Sequence, residues 1–326
     1  MKRMLFPIVL LAVFFSAVPA VPAFAEPAGI VIGISQFVRH PSIDAIRQGI
    51  IDYLSENGYP PEKTVAYDIN VAEGDFASNT KIAERLAAAD PDLIVTLTTP
   101  SAQAMVGATA TVPIVFCAVL DPVGAGLVKD LAGSGTNVTG VTFVSPVRKQ
   151  FELFKEIMPG LTRMGFIYNP KEENAVASLA QAREAGSALG IEIVAVTVSG
   201  PSGVAAAAES LVGNVDAVYL AIDNTVASAF DALLGVCSKN GLPIFATAVE
   251  FVDKGAVAAL SIDSYKEGRR AGELARGILE GKDPGKMAVE TYSELVTRIN
   301  LDSARTVGLT IPENVVRKAD IVIEGQ

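Results

Sequence analysis

Apolar positions along this chain fall into two patterns. Runs such as Leu93–Leu97 and Ile114–Val119 are short and rich in β-branched residues, and Val65–Val71 predicts a further strand. Unbroken runs of that length predict parallel strands covered on both faces. A similar run at residues 30–34 predicts the first strand. Between the runs the apolar spacing changes to three and four. Ile43, Ile46, Ile50 and Leu54 predict a helix from Pro41 to Glu56, stopped by Asn57-Gly58. Gly74-Asp75 opens a second helix to about Ala89, and Ser101 a third to about Ala108. Residues 137–144 supply a further strand and the first crossing into a second lobe.

The same alternation then restarts near residue 145. Strands are predicted at 163–168, 191–198, 217–221, 243–246 and 255–262, separated by helices at 148–158, 174–189, 204–211 and one ending near Lys239. A helix over 266–279 comes next, and the tail adds a strand near 295–300 and a helix near 313–319. Strand–helix alternation throughout predicts an α/β fold with parallel sheets. The two halves also echo one another. Residues 92–101 align without gaps on 216–225, so that Asp92 matches Asp216 and Thr98-Thr99-Pro100-Ser101 matches Ile222-Asp223-Asn224-Thr225. Val112-Pro113-Ile114 is echoed by Leu242-Pro243-Ile244. Two matches in the same order indicate two lobes built on one plan.

Composition narrows the class. Lys2 and Arg3 precede an apolar run and Ala23-Phe24-Ala25, which predicts a cleavable signal peptide over 1–25 and an exported, periplasmic mature chain. About 300 residues remain, enough for two cores. The formal charge is −10, or −12 once Lys2 and Arg3 leave, with no basic cluster, so no nucleic-acid partner is expected. Cys117 and Cys237 are read as buried thiols, and one His with two distant Cys makes no metal site and calls for no cofactor.

Strand tips carry the candidate chemistry, because open α/β sheets bind ligands beyond the C-terminal ends of their strands. The tips are Ser35-Gln36, Thr98-Thr99-Ser101, Asp121, Tyr168-Asn169, Asp223-Asn224 and Asp263/Tyr265. Asp223 can pair with an ammonium group, while hydroxyls and free helix N–H groups take a carboxylate. Each such residue is also an ordinary helix cap. His40, ahead of Pro41, reads as a surface or capping residue rather than a base. No nucleophile elbow, phosphate loop or dinucleotide fingerprint is present, so no catalytic residues are assigned. A two-cysteine racemase is the enzymatic alternative, and the ligand-sensing partner of a membrane receptor is another.

The ordered motifs carry a resemblance. Gly33-Ile34-Ser35-Gln36-Phe37 with His40-Pro41, Thr99-Pro100-Ser101-Ala102-Gln103-Ala104, Asp121-Pro122-Val123-Gly124-Ala125, Asn137-Val138-Thr139-Gly140, Tyr168-Asn169-Pro170 and Asp223-Asn224-Thr225 occur in sequence. The chain resembles the ABC-transporter substrate-binding proteins of the tryptophan/tyrosine type over essentially its whole mature length. That resemblance implies a two-lobed periplasmic-binding-protein fold of type I with three crossings, each lobe a parallel sheet flanked by helices. It implies a monomer that closes on a small amino-acid-like ligand and delivers it to an ABC permease in the inner membrane. Lobe 1 is expected over 26–143 plus about 264–287, and lobe 2 over 144–263 plus about 288–326. Ser35, Gln36, Thr99, Ser101, Asp121, Asn169 and Asp223 are the ligand-binding positions it implies. Leu120, Ala175, Ile222 and Ser264 stand where relatives commonly carry hydroxyl or aromatic side chains. The sequence therefore leaves open an aromatic amino acid, a branched apolar one or another small carboxylate.

Overall fold

The computed structural model describes residues 29–61 and 63–325; the signal segment expected over 1–25 lies outside the described residues. Thirteen strands are assigned among the described residues. The first half contributes β1 (Ile30–Gln36), β2 (Val65–Val71), β3 (Leu93–Leu97), β4 (Ile114–Val119) and β5 (Val138–Phe143). The second contributes β6 (Arg163–Tyr168), β7 (Glu192–Thr197), β8 (Ala217–Leu220), β9 (Ile244–Ala246) and β10 (Ala258–Ile262). The tail contributes β11 (Glu290–Tyr292), β12 (Leu295–Asn300) and β13 (Ile321–Ile323).

Two sheets result, ordered β11-β5-β4-β3-β1-β2 and β13-β12-β10-β9-β8-β6-β7. Every pairing is parallel except β10 with β12. With its two halves superposed in order, β1 to β5 and β6 to β10 follow the same doubly wound path. In each, the order reverses beside the first strand, the place where such sheets open a ligand crevice. The sequence echo has a shared cause. Asp92 takes the amide of Val31 at the start of β1 (2.8 Å), and Asp216 takes that of Arg163 at the start of β6 (2.8 Å). Each aspartate registers its strand against the neighbour.

Both sheets are buried on both faces, as their continuous apolar runs require. In the first, Ile32, Ile34, Val95 and Val115 face helices Pro41–Glu56 and Ser264–Leu279, while Ile94, Ile114 and Phe116 face helices Phe76–Ala89 and Thr99–Ala108. In the second, an aromatic layer fills one face: Phe154 stacks on Phe245 at 4.4 Å and Phe151 meets Tyr219 edge-on at 5.0 Å. The Tyr219 hydroxyl donates to Gln150, so the buried ring carries no unmet donor.

The chain passes between sheets after β5, after β10 and between β11 and β12. The last passage departs from the expected boundary near residue 288, because Glu290–Tyr292 still pairs with β5 of the first sheet. Helix Ser264–Leu279 returns to the first lobe and crosses helix Pro41–Glu56 backbone to backbone. A Cβ on Gly49 would stand 2.2 Å from the Tyr265 carbonyl oxygen, and one on Gly268 would stand 2.1 Å from that of Ile46. Neither obstacle is a movable side-chain end. Gly49→Ala and Gly268→Ala should each destabilise the protein by about 2–3 kcal/mol. Gly235→Ala, in open space within helix Phe230–Lys239, should instead stabilise by about 0.5–1 kcal/mol. Chemical denaturation of the three variants checks the contrast.

Candidate functional site

The C-terminal edges of the two sheets face each other across a cavity lined by residues of both lobes. From the first lobe it is lined by His40, Ser42, Ile43, Ile46, Thr98, Ala118 and Phe143. The second brings Asn174, the run from Ala221 to Asn224, Ala227, Thr247, Ala248, Ser261 and Ile262, and helix Ser264–Leu279 adds Ser264 and Glu267. No lysine or arginine is among these residues.

The two sides differ in charge. On the second lobe, Asp223 ends the turn after β8 and is 2% exposed. Its Oδ1 accepts from the Val226 amide (2.8 Å), capping the helix, and its Oδ2 accepts from the Asn169 amide (2.6 Å). Behind it lies a second buried carboxylate. Glu172 accepts from the amides of Asn224 (2.9 Å) and Thr225 (2.8 Å), from the Asn224 side chain (2.6 Å), from the Thr225 hydroxyl (2.7 Å) and from Asn174 (3.3 Å). Burial, with the neighbouring Glu172 charge second, pushes the Asp223 carboxyl well above the usual range. Neither acid has a cationic partner among the described residues.

The first lobe presents the opposite sign. Helices Pro41–Glu56 and Thr99–Ala108 both begin at the cavity, and neither has a side-chain cap. Buried hydroxyls surround the two starts: Ser42, Thr98, Thr99 and Ser35 have Oγ atoms with no hydrogen-bond partner among the described residues, and the same holds for His40 Nδ1 and Asn174 Oδ1. Buried polar atoms are normally satisfied; of this set, Ser42, Thr98, His40 and Asn174 line the cavity and Ser35 and Thr99 do not. Thr98 sits at φ 81° and Ala118 at φ 58°. Two non-glycine residues held in the left-handed region beside one cavity indicate strain kept at a functional site.

Of the seven positions implied by the resemblance, Asp223 lines this cavity. The others are placed around it. Ser35 and Thr99 are buried with unpartnered hydroxyls at the ends of β1 and β3. Gln36 is turned inward, donating to the Val38 carbonyl (2.6 Å) and Asp44 (3.0 Å) and accepting from Arg47. Ser101 donates to Asn79 (3.2 Å), whose amide in turn holds the Pro100 carbonyl (2.9 Å). Asn169 supports Asp223 through its amide and bonds Thr225 through its side chain (2.9 Å). Asp121 is exposed, caps the Gly124 amide (2.8 Å) and faces Glu173 across the rim, adding to the burial that pushes that carboxyl up.

His40 departs from the surface or capping role expected of it. It makes no cap bond, lines the cavity, and its ring packs at 5.9 Å from Phe251 of the second lobe. Burial lowers its pKa from 6.5 to about 4, against smaller opposing effects of Asn224 and Asp44. Glu267 also went unassigned in the sequence. A signal existed: it heads the apolar stripe Ala271, Leu274, Ala275 and Ile278 of its helix.

Two facing lobes around a largely apolar cavity, with a few buried polar groups and no Lys or Arg in its lining, have the form of a protein that encloses a small ligand. The family model for ABC transporter substrate binding protein matches residues 31–323, and the chain belongs to that family. It is 37% identical over 278 residues to a tyrosine-binding protein of Clostridioides difficile, covering 85% of this chain and 81% of that one. The structure of an ABC domain in complex with L-Trp from Streptococcus pneumoniae is 34% identical, with a TM-score of 0.87, covering 91% of this chain and 100% of that one. A ligand-free, open structure of a substrate-binding protein with adhesive properties from Clostridium difficile has the same identity, 34%, and covers 91% of this chain and 100% of that one. Its TM-score is 0.66. At equal identity, the lobes here are arranged as in the L-Trp complex rather than as in the open form.

The lowered pKa of His40, whose ring touches the second lobe, predicts that ligand binding between the lobes depends on pH. Neutral His40 supports closure fully above its ordinary pKa of 6.5, and that support is lost as pH falls towards about 4. Ligand affinity should fall about tenfold between pH 7 and pH 5, less than full burial would give because part of the residue remains exposed. In His40→Gln the fall should be reduced, as measured by titration calorimetry across that range.

Proposed function

We propose that this protein captures an L-amino acid between its lobes and hands it to an ABC permease in the inner membrane. It is exported to the periplasm, acts as a monomer and performs no chemistry on its cargo. The observation that carries this reading is the division of charge across the cavity. A buried carboxylate without a cationic partner among the described residues lies on one lobe; uncapped helix starts with unpartnered hydroxyls lie on the other. A zwitterion satisfies both at once, with its ammonium at Asp223 and its carboxylate at the Thr98–Thr99 helix start. The apolar wall of Ile43, Ile46, Phe143 and Ile262 leaves room for a hydrophobic side chain. The names of the relatives, a tyrosine-binding protein and an L-Trp complex, support an aromatic one.

The racemase alternative finds no support. Cys117 and Cys237 are both free and buried, and neither lines the cavity. Burial pushes the Cys117 thiol well up and that of Cys237 up to about 12, away from the thiolate that proton abstraction needs. Among the described residues, no helix is long and apolar enough to cross a membrane.

Asp223→Asn is the direct test of the ammonium site. It removes the charge and also replaces one of the two oxygens that now accept backbone amides, so stability is measured separately. Calorimetric titration with L-tyrosine and L-tryptophan should show affinity reduced by about 3–5 kcal/mol, a hundredfold or more. Unchanged affinity in the folded variant would remove Asp223 from ligand recognition.

A further inference from the structure

Helix Ser264–Leu279 brings a second buried carboxyl to the cavity, at a place the zwitterion does not use. Glu267 is 1% exposed and belongs to the lining. The glycine crossing fixes its position: Gly268 lies against the Ile46 backbone, so the preceding residue sits at the foot of helix Pro41–Glu56. Its Oε1 accepts from the Ala118 amide at 3.1 Å. Ala118 offers that amide because β4 shifts register between Phe116 and Val119 and turns through φ 58°. The groups facing Glu267 from the packed elements are the Cys117 thiol on β4 and the Glu250 carboxyl of the second lobe. No lysine or arginine pairs with it among the described residues. Burial pushes its pKa up to about 8, so near neutral pH the carboxyl keeps its proton and has a hydrogen bond to give. Ala118 and the Ile46 backbone stand beside it, and the same cavity is lined by Ile43, Phe143 and Ile262. Glu267 and Asp223 thus line one chamber from different elements, Glu267 from the helix that returns to the first lobe and Asp223 from the turn after β8 of the second.

We propose that Glu267 reads the far tip of the ligand, exchanging a hydrogen bond with a hydroxyl or ring N–H carried on an otherwise apolar side chain. This rests on the amino-acid reading of the cavity and narrows it to aromatic side chains bearing such a group. A site built to meet a polar group rejects an analogue that lacks it, because its own buried group is then left unpaired.

Calorimetric titration of the wild type with L-tyrosine, L-tryptophan, L-phenylalanine and L-4-methylphenylalanine tests it without any mutation. At least one of the first two should bind about tenfold or more tighter than both of the last two. Glu267→Met should bring that ratio close to one, with L-phenylalanine bound more tightly than by the wild type because no buried group is left unpaired, and thermal denaturation checks that the variant is folded. Glu267→Gln, which still gives and accepts a hydrogen bond, should keep most of the preference. Equal binding of L-tyrosine, L-tryptophan and L-4-methylphenylalanine by the wild type overturns the role of Glu267 but not the amino-acid reading. A preference that survives in Glu267→Met does the same. Failure of all four to bind overturns both.

Discussion

The constraint on which this molecule turns is a buried carboxylate pair without a cation among the described residues. Asp223 and Glu172 lie together at the start of one short helix, and each of their oxygens accepts from a backbone amide, with a hydroxyl and carboxamides added on Glu172. Hydrogen bonds of that kind hold charge, but two adjacent carboxylates still repel in a medium of low polarity. The arrangement is costly when the cleft is closed and empty. It is relieved when a positive group enters, so the energy of closing depends on the cargo. A protein that must close on a ligand and later reopen needs this coupling.

The opposite lobe works by leaving groups unsatisfied rather than by adding charge. Two helix starts without caps and several hydroxyls without partners form a weakly positive, donor-rich surface, built from backbone that the fold has to supply in any case. Strain is placed beside it. Thr98 and Ala118 hold left-handed geometry at a cost of about 1–3 kcal/mol each. What they gain is direction. The first points the start of a helix at the cavity, and the second aims an amide at Glu267. Glycine at 49 and 268 supplies the remaining condition, bringing two helices close enough for an acidic side chain to reach the interior.

Much of the fold was legible in the residue pattern, because apolar runs of five or six residues can only be buried strands when helical spacing flanks them. The repeat of Asp92 by Asp216 disclosed the two lobes, and its cause is the same amide contact in each. β11 and β13 were not foreseen: three residues each are too few to show a period, and their pairing depends on the path of the tail. At the site, the strand tips were foreseeable but the direction of each side chain was not. Which of Thr98 and Thr99 faces the cleft depends on one backbone torsion, and Gln36 turns away to bond Asp44 and Arg47 on the first two turns of helix Pro41–Glu56. Glu267 looked like an ordinary charge on an amphipathic helix. Its place at the head of the apolar stripe Ala271, Leu274, Ala275 and Ile278 pointed to a buried face, but the helix crossing that carries it to the cavity is not visible in that spacing.

Closure should depend on both charged ends of an amino acid, one held by each lobe. Titration with L-tyrosine, with tyramine, which lacks the carboxylate, and with 3-(4-hydroxyphenyl)propionate, which lacks the ammonium group, addresses this directly. Each truncated compound should bind weaker than L-tyrosine by about a hundredfold or more. A propionate that binds as tightly as the amino acid would contradict the role given to Asp223, and tyramine binding as tightly would contradict the role given to the helix start.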